Sequence, residues 1–379
     1  MRVPVWLRDS PLANRNYTLF LLGAFVSSLG SWMQSVALGW TVLQLGNSAF
    51  LLGVLGFVQL APVLALGLPA GTIADRANRR LFLIWTQSAL TVLAVILAVL
   101  QYAGRASVAA ILIIAALNGI ANALNGPTWQ AFIKELVGPE QLRRAIAVNS
   151  ARFNLTRIVG PAIGGWLLVV AGAAACFAAN AISFIAVIAA LLAIRSNYQH
   201  PPRITGKLPG GDYWSVARNP RILGVLIPAI GLSVLALPYA NFLPAMARDV
   251  FHMGASGLSY LLTATGIGAV IGAAISGSSL VARHPGRALA VLEIIAGVAL
   301  AAFAWAPSFP LALFCIIFFG AAMIAYLAAA GATIQLAAVP GTEGRALGLW
   351  MIVNSGLVPF GSLAIGAIAE PAGVRGALG

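Results

Sequence analysis

The sequence predicts an all-α polytopic membrane protein built as two pseudo-symmetric six-helix halves, with eleven spans visible and the twelfth missing. Three observations predict it. Of 379 residues, 60% are hydrophobic and only 8% are charged, with a mean hydropathy of +0.95, whereas soluble domains carry about 25% charged residues. The apolar residues fall into runs near the ~20 that one helical bilayer crossing needs. A set of polar and small residues also recurs once along the chain. No water-solvated surface can be assembled from this composition, which excludes a soluble enzyme and a single-anchor protein.

Runs separated by charged or Pro/Gly punctuation place the spans at 17–43, 50–73, 81–101, 107–127, 143–171, 175–194, 221–246, 257–281, 288–306, 310–335 and 346–369. The first starts near Tyr17 and is too long for the apolar core of a cleavable signal. The longest hydrophilic stretch, with Pro201, Pro202, Gly206, Pro209, Gly210 and Gly211, reads as a cytoplasmic linker. The expected organisation is a six-helix half at 1–194, a linker at 195–220 and a second half at 221–379 with five helices. The segment from Glu370 to Gly379 reads as an outer loop leading towards the missing helix.

The repeat supports this division. Gly126, Thr128, Gln130, Leu142, Val148, Asn149 and Ser150 recur at one constant offset as Gly331, Thr333, Gln335, Leu347, Val353, Asn354 and Ser355. Two halves related in this way, in parallel orientation, match one of the repeat plans used by transporters.

The formal charge of +13 and pI of about 11.0 invite a nucleic-acid reading, but the positions of the cations argue against it. With the N-terminus in the cytoplasm, Arg2, Arg8, Arg15, Arg76, Arg79, Arg80, Lys134, Arg143, Arg144, Arg195, Arg203, Lys207, Arg218, Arg221, Arg283, Arg287 and Arg345 all lie inside. Only Arg105, Arg248 and Arg375 face outward, and Arg152 and Arg157 fall within the fifth span. Cation bias sets orientation, so the expected topology is multi-pass, N-terminus cytoplasmic, in the bacterial inner membrane, with no nucleic-acid partner. The two cysteines, Cys176 and Cys315, are far apart and present neither a disulfide framework nor metal-ligand spacing. A phosphate-binding Gly-x-x-x-x-Gly-Lys-Ser/Thr loop is absent, so ATP-driven pumping by this chain is not expected. An intramembrane hydrolase would need an acid/base pair, a nucleophile with its base or a metal cluster within the spans. The three histidines lie in loops and Glu293 is the one acid plainly inside a span, so no enzyme is expected.

Between spans two and three lies Gly71-Thr-Ile-Ala-Asp75-Arg76-Ala-Asn-Arg79-Arg80. It resembles the loop signature of the major facilitator superfamily: a glycine, an Asp-Arg pair and a trailing basic cluster. In span five, Gly160-Pro161-Ala-Ile-Gly164-Gly165 resembles the fifth-helix motif of exporters in that superfamily. Together with Pro127, Leu136, Val137, Leu142, Ala145, Asn149, Ser150 and Arg157, it is similar to the branch holding bacterial enterobactin exporters and macrolide efflux proteins. Three features depart from the superfamily pattern. Asn78 replaces a glycine of the loop signature, the second copy near Gly277 to Arg287 has no Asp, and span four lacks an arginine common in proton-coupled relatives.

The resemblance implies a major facilitator fold whose halves rock about a central cavity. It also implies a conformational latch at Gly71, Asp75, Arg76, Arg79 and Arg80, with Asp75 facing the start of span eleven. A carboxylate there would accept hydrogen bonds from free N–H groups at a helix N-terminus and favour its dipole. Gly160, Pro161, Gly164 and Gly165 lack bulk, and the proline also lacks a backbone donor, which suits either a hinge or a tight helix seam.

Arg157 lies about twelve residues past the membrane entry, ~18 Å deep at ~1.5 Å per residue. At that depth an arginine faces protein or a watery cavity. It shares a helical face with Ser150, Asn154 and Pro161, which suits a substrate cavity. A structural arginine bonded to helix carbonyls suits it too, whereas Arg152, nearer the surface, can snorkel. Asn118, Asn122 and Asn125 share one face of span four and are read as cavity lining, with interhelical hydrogen bonding as the alternative. Gln34, Gln59 and, in the second half, Tyr239, Asn241, Tyr326 and Asn354 are weaker candidates. Glu293 is the candidate proton carrier, with snorkelling or pairing to Arg345 as alternatives.

The expected function is therefore export of a small amphipathic molecule, siderophore or drug-like, by proton antiport. The expected protein is a monomer without a cofactor, whose partners are the substrate, protons and the lipid bilayer. An uptake symporter of the same fold and a transport-inactive truncated product are the alternatives.

Overall fold

The computed structural model describes residues 10–194, 216, 218–278, 283–339 and 342–379. Within these, the side chains at 67–69, 71–76, 139, 143, 343 and 344 lie outside the description. So do the linker residues 195–215 and 217, and the Gly71, Asp75 and Arg76 part of the expected latch beyond its backbone.

Among the described residues the protein is helical throughout, with no strand. Among the described residues, ten helices are long and apolar enough to cross a membrane. They are α1 (Arg15–Gly46), α2 (Ala49–Arg76), α3 (Arg79–Tyr102), α4 (Val108–Gly138), α5 (Glu140–Ala193), α6 (Pro220–Val250), α7 (Gly254–Ser276), α8 (Pro285–Ala304), α9 (Phe309–Ala337) and α10 (Arg345–Leu378). The count is ten because the runs expected at 143–171 and 175–194 form one 54-residue stretch. That stretch is interrupted at Gly172, where φ is +79°. Such a left-handed residue breaks the helical path, and glycine adopts it without a Cβ penalty.

Local sequence chemistry sets the ends. Asn78 caps α3 by accepting from the Leu81 amide, and Ser107 caps α4 by accepting from the Ala110 amide. Asn219 accepts from the Arg221 amide while Pro220 supplies a first helical residue whose missing N–H costs nothing there. Helix α4 continues past the apolar run that ends near 127, because Phe132 and Ile133 are fully buried. It stops at Gly138, φ +69°. Inside α6, a π-helical turn at Leu232–Ala236 sits just before Pro238, where the absent N–H already interrupts the α ladder.

The chain divides into two compact units, Met1–Thr41 with Ala61–Pro202, and Val42–Leu60 with Arg203–Gly379. The core of the first gathers Tyr17, Phe20, Leu83, Phe132, Ala145, Val187 and Leu191. The Tyr17 hydroxyl donates to the Ala145 carbonyl at 2.7 Å, and the Phe20 ring packs tilted against Trp129 and edge-on to Phe132 at centroid distances of 4.4 and 5.2 Å. In this unit α1 lies against both limbs of α5. Its Gly23 meets Ala190, its Gly30 meets Asn180 and Ser183, and its Trp32 and Met33 meet Gly160 and Gly164.

The second unit is seamed in the same manner. Gly268 and Gly272 of α7 lie on the Ile317 and Ala321 carbonyls of α9. Gly53 and Gly56 of α2 lie on Ser362 of α10. Contacts this close are possible because small residues let helix backbones approach in a lipid environment. Arg248 donates to the Leu43 carbonyl and the Asn47 side chain, both at 2.8 Å, and Ser48 donates to Glu370 at 2.8 Å.

Candidate functional site

Of the loop signature, Arg79 and Arg80 are described at the start of α3. The Arg79 guanidinium lies 3.5 Å from the Glu135 carboxylate of α4. Arg80 donates to the Leu191 and Leu192 carbonyls at 2.7 and 2.9 Å. These contacts tie the first turn of α3 to the end of α4 and the far limb of α5 within the first unit. Arg80 thus satisfies two carbonyls at a helix end, where the backbone has no intrahelical donor left.

The exporter motif lies on α1. A Cβ on Gly160 would stand 2.6 Å from the Trp32 Cβ, and one on Gly164 would stand 2.8 Å from the Met33 Cα. Gly160, Gly164 and Gly165 are buried, and the helix continues through Pro161. The motif therefore forms a tight seam between α1 and α5.

Polar residues of the first unit fall into separate groups. Arg152 does not snorkel: it reaches across to α1, donating to the Ala24 carbonyl at 2.7 Å and the Ser28 hydroxyl at 2.6 Å. Its Nε also donates to the Asn149 side chain at 3.2 Å. The carbonyl and hydroxyl lie within reach of the inward-pointing guanidinium, so it is satisfied without bending back to the interface. Arg157, one turn and a little further along, is half-buried.

Gln34 is buried and accepts from Asn180 at 2.8 Å, with Ser183 donating to Asn180. This is an interhelical amide pair within the packed core of the unit. Asn118 and Asn122 turn back to donate to the carbonyls of Ile114 and Asn118, each at 2.9 Å. Asn125 instead accepts from Thr86 of α3 at 3.0 Å. Asn154 is exposed and donates to the Ser150 carbonyl. Asn180 and Ser183 escaped the sequence reading. Their signal was two polar residues at i, i+3 in an apolar run, aligned with Gly30 only once the helices are packed.

In the second unit, Asn241 donates to Ser362 at 2.9 Å, and the Tyr239 ring packs edge-on to Phe319 at 4.5 Å. Gln59 is half-buried. Glu293 of α8 and Tyr326 of α9 line one cavity together with residues of α6. Among the described residues, no cluster of three or more His, Cys, Asp or Glu side chains could hold a metal ion.

The sequence profile of the transmembrane secretion effector family, within the major facilitator superfamily, matches residues 8–379. The chain is 31% identical over 262 residues to the staphyloferrin A transporter of Staphylococcus aureus, a match covering 66% of this chain and 64% of that protein. That alignment thus spans a little under two thirds of the relative's length. Identity is 26% over 373 residues to the multidrug efflux pump Tap of Mycolicibacterium fortuitum, covering 94% and 90% of the two chains. To the enterobactin exporter EntS of Shigella boydii it is 24% over 361 residues, covering 92% and 84%. The fold matches the crystal structure of a bacterial homologue of the human lysosomal transporter Spinster, with a TM-score of 0.73 at 18% identity, over 94% of this chain and 83% of that one. Matched along nearly its whole length, the chain belongs to the transmembrane secretion effector family, which are membrane transporters of the major facilitator superfamily and not enzymes.

Proposed function

We propose that this protein exports a small amphipathic molecule across the bacterial inner membrane by proton antiport, with a siderophore as the leading substrate and a drug-like compound second. The observation that carries the reading is the family match over residues 8–379, joined by relatives named for siderophore transport, siderophore export and drug efflux. An uptake symporter of the same fold is the competing reading.

Eleven crossings are proposed, with α5 crossing twice. Its 54 residues would extend about 81 Å as one helix, against a hydrocarbon core of about 30 Å, and Gly172 supplies the turn. The cation distribution supports a cytoplasmic N-terminus. Rocking of the two halves would alternately expose a cavity to which Arg157, Asn154, Asn118, Asn122, Asn125, Gln34 and Gln59 are assigned. Of these, Arg157 is the strongest candidate, because a guanidinium about 18 Å into the membrane must face protein or a watery cavity. Gly71, Asp75, Arg76, Arg79 and Arg80 are assigned to the latch, Gly160, Pro161, Gly164 and Gly165 to the hinge and seam, and Glu293 to proton transfer. One chain is taken to be the working unit.

Inverted membrane vesicles carrying the protein test this. Siderophores or macrolides should accumulate inside them when a proton gradient is imposed and not after it is collapsed. Arg157→Ala and Asp75→Asn should each slow the initial rate by about tenfold or more, the scale of one charge-assisted contact. Accumulation in right-side-out vesicles instead would establish uptake. No transport of any such compound by correctly folded protein would overturn the proposal.

A further inference from the structure

We infer that the cavity between α6, α8 and α9 is a binding site for an organic cation, a protonated amine carried on a small apolar body. The cavity has a volume of ≈ 390 Å³ and its lining includes Arg221, Val225, Leu289, Glu293, Tyr326 and Thr333. That volume lies in the range of small-molecule sites, roughly 300–1,000 Å³. All of these residues belong to the second unit.

Among the described residues, two polar groups in the lining stand out: a hydroxyl with no hydrogen-bond partner and a carboxylate in no ion pair. Tyr326 is 1% exposed, and its hydroxyl has no hydrogen-bond partner among the described residues. Glu293 is half-buried and lies eight residues beyond Pro285, about 12 Å along the axis of α8. The ion pairs found among the described residues, Arg79 with Glu135 and Arg248 with Asp249, do not include it. A polar group buried without a partner, as the Tyr326 hydroxyl is, is uncommon in native proteins and destabilises them. A ligand that pairs with this hydroxyl and with the Glu293 carboxylate removes that cost and gains a charge-assisted contact.

The donor inventory identifies the ligand class. A carboxylate only accepts hydrogen bonds, and a phenol hydroxyl both accepts and donates. The Thr333 hydroxyl already donates to the Ala329 carbonyl at 2.7 Å, so it too can offer only lone pairs. A group with several N–H donors and a positive charge complements all three. An anion would be repelled by Glu293, and a neutral apolar molecule would leave both groups as they are. Val225 and Leu289 give the apolar body a matching wall. Arg221 also lines the cavity but is exposed, so water and salt screen its charge from a ligand beside Glu293.

The test is calorimetric titration of the full chain in lipid nanodiscs with benzylammonium, benzyl alcohol and benzoate, three probes of similar size and different charge. Benzylammonium should bind saturably, and the other two should not. Glu293→Gln should weaken benzylammonium at least tenfold, and Tyr326→Phe, which keeps the ring and removes only the hydroxyl, should weaken it about threefold to tenfold. Thermal unfolding midpoints verify that each variant is folded; were Glu293→Gln to misfold, the probe comparison on the unaltered protein and Tyr326→Phe would decide. Equal binding of benzyl alcohol, indifference to both substitutions, or no saturable binding of benzylammonium would overturn the inference. The titration is made at equilibrium with no gradient, so its failure would leave the export proposal standing, and the failure of vesicle transport would leave this site standing.

Discussion

Replacing Arg152 with methionine is expected to lower the thermal unfolding midpoint of the purified protein by about 5 °C or more. The guanidinium donates to the Ala24 carbonyl, the Ser28 hydroxyl and the Asn149 side chain, and hydrogen bonds from charged groups contribute about 1.5–3 kcal/mol each. Methionine fills similar space but leaves α1 and α5 without this bridge. Arg152→Lys should recover only part of the loss. The arginine uses two nitrogens, Nη1 towards α1 and Nε towards Asn149, while a lysine has one. Differential scanning fluorimetry in detergent measures the effect. An unchanged midpoint for Arg152→Met would show that the bridge contributes nothing to stability and would return Arg152 to the snorkelling role.

Gly164→Val is expected to be the most damaging single substitution in the first unit, costing about 3 kcal/mol or more, the upper end of overpacking penalties. Its Cβ would stand 2.8 Å from the Met33 Cα. A backbone atom cannot rotate out of the way as a side chain can, so α1 and α5 must part. The matched control is Gly297→Val, because a Cβ at Gly297 meets nothing within 4 Å. Size-exclusion profiles after solubilisation should show Gly297→Val as monodisperse protein and Gly164→Val as aggregate or absent. Equal yields from the two would mean that the seam opens freely.

The glycines of the exporter motif illustrate how far sequence reading reaches. Gly160-Pro161-Ala-Ile-Gly164-Gly165 is recognisable as a run without bulk, and that is a local property. Which neighbour lies against it is not local. Trp32 and Met33 are more than a hundred positions away, and many bulky residues could have occupied that place. The asparagines of α4 make the same point in reverse. Their spacing put three amides on one face, which the helix obeys, yet Asn118 and Asn122 turn back to their own backbone and only Asn125 reaches another helix. Periodicity gives direction around an axis, and rotamer and partner are chosen by what stands opposite.

Arg152 and Glu293 show the limit for charged residues. Both were legible as ionisable groups in or near a span, which restricts them to protein, water or the interface. The choice among these depended on whether acceptors or cavities lay within side-chain reach. For Arg152 they lie on α1, 128 and 124 residues distant in sequence. For Glu293 the ion pairs found among the described residues offer no partner, and Tyr326 and Arg221 share its cavity.

By itself the sequence determined that this is a multi-span helical membrane protein of the major facilitator superfamily, and where its apolar stretches run. Hydropathy, span length, helix caps and the loop signature are properties of neighbouring residues, so they can be read along one dimension. Only the tertiary structure decided that Val42–Leu60 groups with Arg203–Gly379, that Arg152 bridges two helices, and that Glu293 and Tyr326 open onto one cavity. Those outcomes rest on how helices pack side by side, where close contact between residues distant in the chain selects among faces that the local sequence leaves equally available.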